Sequence, residues 1–180
     1  MELVSALRTS IVRKMVVALT GLGLCGFTLA HLLGNLLVFV GPDTFNSYGH
    51  ALISNQFIYV LEAGLALTFL VHLGLAMKLT LENHQARPEK YFIKKKTGRG
   101  ATFASSTMPY TGMIILLFII YHLTTIKYGA SYEVTVNGVV MRDLYRLLVE
   151  HFSGAFNTVL YILAVCSLGV HVSNGLWSAF

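Results

Sequence analysis

Four long apolar stretches constrain the fold of this 180-residue chain more than any other feature of its sequence. A helix needs about 20 apolar residues to cross the hydrocarbon core of a bilayer. Four ranges reach about that length: 15–41, 56–81, 108–126 and 155–180. None of them alternates apolar and polar residues, as the strands of a membrane barrel do. The sequence therefore predicts an all-α integral membrane protein, with residues 1–180 forming one transmembrane helix bundle.

The composition excludes a free-standing soluble protein. Only 12% of the residues are charged, whereas about 25% is ordinary for a soluble domain. The first stretch is too long for the apolar core of a cleavable signal peptide, so we expect it to remain in the membrane. Cys25 and Cys166 lie inside apolar stretches, which indicates inert core residues rather than a disulfide or a thiolate metal site.

Basic residues are unevenly distributed among the connections. Nine of them lie before the first span or between the second and third: Arg8, Arg13, Lys14, Arg87, Lys90, Lys94, Lys95, Lys96 and Arg99. Because cytoplasmic connections carry the excess of Lys and Arg, we expect a multi-pass protein of a bacterial-type cytoplasmic membrane with both chain ends in the cytoplasm. The basic connection serves either as an anchor to lipid or as a docking surface for a partner subunit, and not as a nucleic-acid site.

The outer connection after the third span contains two local signals. Alternating residues flank Asn137 and Gly138, which predicts a β-hairpin with a tight turn. Asp143 then precedes an amphipathic stretch over residues 144–152 and is a suitable N-cap. We expect this short helix to lie flat on the outer surface.

Histidines supply the chemistry that the sequence suggests. Four of the seven fall inside the predicted spans, one in each: His31, His72, His122 and His171. An ionisable side chain in lipid is costly and usually faces the interior of a bundle. One such histidine is weak support for a ligand site, but one on every helix is much stronger.

The depth of each histidine follows from the constant rise of a helix, about 1.5 Å per residue. On this scale His31 and His122 lie in the outer half of the membrane, and we call them the outer pair. His72 and His171 lie in the inner half and form the inner pair. Two neutral imidazoles on facing helices are the arrangement that holds a haem iron by two axial nitrogens. The sequence contains no Cys-x-x-Cys-His, so we predict two stacked b-type haems.

The four histidines have two other interpretations, a zinc site and a proton relay. A zinc site requires one cluster, whereas these residues lie at two depths and would leave a divalent charge uncompensated. A proton relay in a non-redox proton or ion transporter remains the alternative function. We see neither paired broken helices nor half-to-half symmetry, which would mark alternating access.

Small residues flank the histidines in sequence. They are Gly34, Gly74, Gly169, Ser173 and Gly175. Small residues in membrane helices ordinarily serve close helix packing, and room for a flat macrocycle is the other interpretation.

Six motifs, spread over nearly the whole chain, carry a family resemblance. They are Arg8 to Lys14, Thr20-Gly21-Leu22, His31 to Leu36, Gly41 to Asn46, Met141 to Arg146, and Gly169-Val170-His171. As a set they resemble the cytochrome b membrane-anchor subunits of succinate dehydrogenase and fumarate reductase. The single-chain, two-haem members of that family carry one axial histidine on each of their first four spans. They pair the first span with the third and the second with the fourth, as the depths also indicate.

The resemblance implies a function in a larger complex. It implies an FAD flavoprotein subunit and an iron-sulfur subunit on the cytoplasmic side, with electrons passing between the iron-sulfur subunit and a quinone, more commonly menaquinone. The anchor itself would not act on the dicarboxylate. Arg13 and Lys14 would neutralise haem propionates, or serve as ordinary interfacial anchors. The family has a fifth span, so either a further helix follows Phe180 or that helix is absent.

The position of a quinone is open. Asn46, Tyr48 and His50 near the outer surface, or Ser10 and Arg13 near the inner one, are candidate contacts. Each is equally explained as interfacial polar sequence.

Overall fold

The computed structural model describes residues 9–86 and 103–179, which form a helical bundle with one small hairpin. The helices are α1 (Ser10–Asn35), α2 (Pro42–Ser54), α3 (Phe57–Gln85), α4 (Phe103–His122), α5 (Leu144–Ser153) and α6 (Ala155–Ala179). A 3₁₀ turn, Leu36–Phe39, extends α1, and a π turn, Leu123–Lys127, extends α4. In the described part of the chain, α1, α3, α4 and α6 are long and apolar enough to cross a membrane. The predicted fold class, an all-α membrane helix bundle, is confirmed.

Several residues used in the sequence predictions lie outside the described residues. They are Arg8, the six basic residues between positions 87 and 99, and Phe180. The orientation inferred from the basic residues therefore stays a prediction.

The long helices pack in pairs. α1 contacts α3, α4 contacts α6, and α1 also contacts α6. The connections α1 to α3 and α4 to α6 carry α2, the hairpin and α5, and we call this end of the bundle the loop end. The opposite end, where α1 begins and α3 ends, is the termini end. Phe39 at the loop end is 84% exposed and Trp177 at the termini end is 83% exposed, as expected for aromatic side chains at the two membrane interfaces.

The hairpin has the turn that the sequence predicts. β1 (Glu133–Val136) pairs with β2 (Val139–Arg142) in antiparallel register, with Val136 opposite Val139. Asn137 has a φ of 51° and Gly138 a φ of 83°. Positive φ at both central residues is what a two-residue type I′ turn requires, and Asn-Gly adopts it at the lowest cost. The hairpin and the α5 helix with its Asp143 N-cap are both confirmed.

Arg142, at the end of β2, fixes the end of α4. Its guanidinium donates hydrogen bonds to the carbonyls of Ile126 (2.9 Å), Lys127 (3.0 Å) and Ala130 (2.8 Å). The last carbonyls of a helix have no partner within the helix, so a planar cation with several donors stabilises them. The hairpin thereby holds the turn that directly follows His122.

The connection between the first two spans contains a helix, α2, that the sequence analysis did not predict. Pro42 occupies the first turn of α2 and Asp43 lies in the same turn, both favourable at a helix N-terminus. Within α2, Asn46 is only 1% exposed. Its Nδ2 donates to Asp143 Oδ1 (3.0 Å), and its Oδ1 accepts from the Tyr145 backbone N–H (2.9 Å). Asn46 therefore ties α2 to the start of α5.

We expect Asn46→Ala to destabilise the loop end. The change leaves the Tyr145 N–H without its acceptor and removes one of the two donors to Asp143 Oδ1, which keeps the Arg146 N–H, at a cost of about 2 kcal/mol. For a chain of this length that lowers the apparent Tm in detergent by about 4–8 °C. Asn83→Ala, at an exposed position of α3, is the matched control. Equal shifts in both variants would contradict the role given to Asn46.

Candidate functional site

The structure brings the four span histidines together in the two sets expected from their depth. The rings of His31 on α1 and His122 on α4 have centroids 5.8 Å apart with perpendicular planes. At the other level His72 on α3 meets Thr20 on α1, and His171 on α6 meets Thr111 on α4. The outer pair therefore joins the first half of the chain to the second half, and the inner histidines lie at a different level of the bundle.

The donor set at each level is two imidazoles. The described part of the chain contains no group of three or more His, Cys, Asp or Glu residues that could hold a metal ion. Two neutral nitrogens do not complete a tetrahedral zinc site. They are the axial set for an iron whose other ligands come from a macrocycle. By donor chemistry, the residues present fit a b haem at each level.

The inner histidines both have their Nδ1 atom engaged by a neighbouring helix. His72 Nδ1 lies 3.1 Å from the Val17 carbonyl oxygen and 3.2 Å from Thr20 Oγ1. His171 Nδ1 lies 3.1 Å from Thr111 Oγ1. A ligating histidine typically uses its second nitrogen in this way, which fixes the ring and leaves Nε2 for the metal.

The outer pair has different neighbours. His122 Nδ1 lies 3.1 Å from the Tyr161 hydroxyl, and the ring of Phe27 stacks on His31 with centroids 5.5 Å apart. The ring of His151, at the end of α5, lies 5.4 Å from Tyr161. Burial lowers the pKa of His151. Sequence reasoning missed Tyr161 as a neighbour of the outer pair because that contact depends on how α4 and α6 pack.

The two halves of the chain share a short repeat of residue types and spacing that was not identified from the sequence. Thr20-Gly21 precedes His31 by the same eleven-residue spacing that separates Thr111-Gly112 from His122. Eleven residues are about three helical turns, so the threonine and the histidine share one face of each helix. A Cβ at Gly21 would lie 3.2 Å from Cε1 of His72, and one at Gly112 would lie 3.3 Å from Cε1 of His171. The signal was present in the sequence as two copies of one spacing.

The other small residues near the histidines had two interpretations, close helix packing or room for a flat macrocycle. A Cβ at Gly34 would lie 2.5 Å from the Tyr48 hydroxyl oxygen, so Gly34 serves the packing of α2 against α1. Around Gly74 and Gly169 no atom of the described residues lies within 4 Å of an added Cβ, apart from the backbone of the same helix. Packing therefore accounts for Gly34, whereas room beside the histidines stays an open interpretation for Gly74 and Gly169.

One known protein has a similar sequence over most of this length. The succinate dehydrogenase cytochrome b558 subunit of Bacillus subtilis (strain 168) is 28% identical over 155 residues, which cover 84% of this chain and 69% of that protein. The chain is a distant relative of that subunit. The resemblance drawn from the six motifs is thereby confirmed at the level of a distant relationship. No family model and no solved structure matches the sequence.

Two basic residues at the start of α1 differ in their surroundings. Arg13 is only 8% exposed, and it forms an ion pair with Glu82 near the end of α3. Its Nε also donates to the Thr9 carbonyl (3.4 Å). Lys14 is exposed. Arg13 therefore joins α1 to α3 at the termini end, below the inner pair.

The candidate quinone contacts do not converge on one site. Asn46 is buried and its side chain bonds Asp143 and the Tyr145 N–H, which gives it a role in the fold. Tyr48 packs on Gly34, and Ser10 is exposed at the termini end.

Proposed function

We propose that this chain is the di-haem b membrane anchor and transmembrane electron-transfer subunit of a succinate:quinone or quinol:fumarate oxidoreductase. One observation carries the proposal: four histidines on four membrane helices form two pairs at two levels. The relationship to a succinate dehydrogenase cytochrome b subunit supports it. On this proposal residues 1–180 act as a single transmembrane domain.

The proposal gives each pair a role as axial iron ligands. His31 and His122 hold the outer haem, and His72 and His171 hold the inner haem. Bound haem supplies reversible storage of one electron at each level. The chain aims the Nε2 atoms of the inner pair by engaging Nδ1, and its apolar helices keep both levels dry. Arg13 and Lys14, at the termini end, are proposed to neutralise haem propionates.

The spacing of the two levels suits passage of electrons along the membrane normal. On α1, Thr20 lies at the level of His72 and His31 lies eleven residues further, a rise of about 16 Å. The repeat on α4 has the same spacing. The two pairs therefore occupy successive levels of one bundle rather than a single cluster.

The proposal also specifies the partner subunits and the orientation of the chain in the membrane. The excess of basic residues in the sequence before α1 and after α3 supports a cytoplasmic position for the termini end, where an FAD flavoprotein subunit and an iron-sulfur subunit would dock. Dicarboxylate chemistry belongs to those subunits, and this chain exchanges electrons with a quinone, menaquinone or another. The chain lies in the cytoplasmic membrane, surrounded by lipid.

The transporter alternative receives less support from the helices. The repeat between the halves removes one objection to it, because transporters are commonly built from repeats. Alternating-access transporters, however, interrupt their helices at the binding site. Here α1 and α4 each run as a continuous α-helix from the inner level to the outer level.

The experiment that tests the proposal is a haem count. We expect purified complex to contain two haem b per copy of this chain by pyridine haemochrome analysis, with a reduced-minus-oxidised spectrum of b type. One haem per chain, or none, would contradict the proposal. A membrane preparation without a Soret band would favour the transporter.

A further inference from the structure

We propose that Thr20 and Thr111 are a matched pair of positioning residues that set the donor strength of both axial histidines of the inner haem. The inference rests on the proposed function and deepens it. Each threonine lies on a helix other than that of the histidine it contacts: Thr20 on α1 reaches His72 on α3, and Thr111 on α4 reaches His171 on α6.

The contacts of the two sites correspond. In each, the histidine Nδ1 meets a threonine Oγ1. That Oγ1 also lies 3.1 Å from the carbonyl oxygen of the residue three positions before the threonine, which is Val17 or Met108. In each, a glycine follows the threonine and lies against the histidine ring. Two helices that are remote in the sequence thus present the same surface to two different rings.

The contacts of His72 determine which of its two ring nitrogens carries the proton. A carbonyl oxygen only accepts hydrogen bonds, so the Val17 carbonyl 3.1 Å from His72 Nδ1 requires a hydrogen on Nδ1. The single hydrogen of the Thr20 hydroxyl is directed to its own helix, with Val16 O at 2.7 Å and Val17 O at 3.1 Å. The Thr20 oxygen is therefore an acceptor for His72 Nδ1–H, and Nε2 carries the lone pair.

The same assignment holds at the second site. Thr111 Oγ1 lies 3.1 Å from the carbonyl oxygens of both Thr107 and Met108, so its hydrogen is also directed to its own helix. His171 Nδ1–H then donates to the Thr111 oxygen. Both rings of the inner pair are held in the tautomer that a metal needs.

The hydrogen bonds from the inner histidines to the threonines change the midpoint potential of the inner haem in a predictable direction. A hydrogen bond accepted from Nδ1–H makes the imidazole a more basic ligand. A more basic ligand stabilises the oxidised, more positively charged iron relative to the reduced iron. Removing a threonine oxygen therefore raises the midpoint potential of the inner haem. In the outer pair His122 faces Tyr161 instead, so the outer haem does not respond to either threonine.

The test is a redox titration of the assembled complex with three variants: Thr20→Val, Thr111→Val and the double variant. Valine keeps the shape of threonine and removes the acceptor oxygen. We expect each single change to alter the one-electron equilibrium constant of the inner haem about three- to tenfold, where tenfold is about 59 mV. The two shifts should add in the double variant, since both act on the same iron. Thr20→Ser and Thr111→Ser should restore the original potential.

Two controls separate positioning from packing. Thr28→Val removes a hydroxyl on α1 that bonds the Leu24 carbonyl of its own helix, and it should move neither potential. In a His31→Ala background, which retains only the inner haem on the proposed function, the Thr20→Val shift should persist. That result identifies the haem that responds.

The outcomes that overturn the inference are distinct from those that overturn the proposed function. Three results would refute the role of the threonines while two haems remain. The midpoint potentials could stay unchanged in the variants, the potential of the outer haem could shift, or the two single variants could act on different haems. Wild-type complex without haem would overturn the proposed function and this inference together. Failure of both serine variants to restore the potential would also refute the inference.

Discussion

We expect replacement of His31 or His122 by Ala to remove the outer haem and to halve the haem b content of the purified complex. On the proposed function each pair serves its own iron, and an iron that loses one of its two imidazoles would be poorly held. The two levels are about 16 Å apart along α1, so the inner pair keeps its geometry when an outer ligand is lost. We expect the remaining haem to retain the low-spin spectrum of a bis-histidine site.

The reciprocal substitutions distinguish pairing by depth from any other pairing. His72→Ala and His171→Ala should remove the inner haem and leave the outer one. His84→Ala, at an exposed position near the end of α3, is the control and should leave both haems in place. Pyridine haemochrome analysis and low-temperature optical spectra measure all five variants. Loss of the inner haem alone in His31→Ala would show that the pairs are wrongly assigned.

Introducing a side chain at Gly21 or Gly112 is expected to remove the inner haem with both of its ligands still present. A Cβ alone would lie 3.2 Å from His72 Cε1 at Gly21 and 3.3 Å from His171 Cε1 at Gly112. Those distances already require the ring to move by a few tenths of an ångström. Valine adds two methyl groups beyond Cβ, and the space next to the histidine ring is too small for them. Overpacking of this kind forces neighbouring side chains out of their rotamers. Gly21→Val and Gly112→Val should therefore halve the haem b content.

Gly26→Val is the matched control for these two variants. Gly26 also lies on α1, about 140° around the helix from His31. Within the part of the chain that the structure describes, an added Cβ there would have no atom within 4 Å apart from the backbone of α1. The same glycine-to-valine change in a helix should leave both haems in place, as measured by haem content and optical spectrum. Equal haem loss in Gly26→Val and Gly21→Val would show that the effect comes from the helix backbone rather than from contact with the ring.

Parts of this protein that depend on local chemistry were predictable from the sequence. Asn137-Gly138 specifies its turn because both residues accept positive φ at low cost, and Asp143 caps α5 because its carboxylate reaches the N–H of Arg146. The start of α2 was equally local, since Pro42 and Asp43 are favourable in a first turn. That signal was overlooked, as was the spacing shared by Thr20 to His31 and Thr111 to His122. Both patterns could be recognised from the sequence alone.

What the sequence determined by itself was the membrane, the four helices and the level of each histidine. Apolar stretches of about 20 residues have to satisfy their backbone groups within a helix in lipid, and a constant rise then converts sequence position into depth. What only the tertiary structure decided was which atoms meet at each level. His72 Nδ1 meets Val17 and Thr20, and Asn46 joins Asp143. Such contacts depend on the rotation and offset of helices remote in the chain, which the packing of side chains sets and no local pattern encodes.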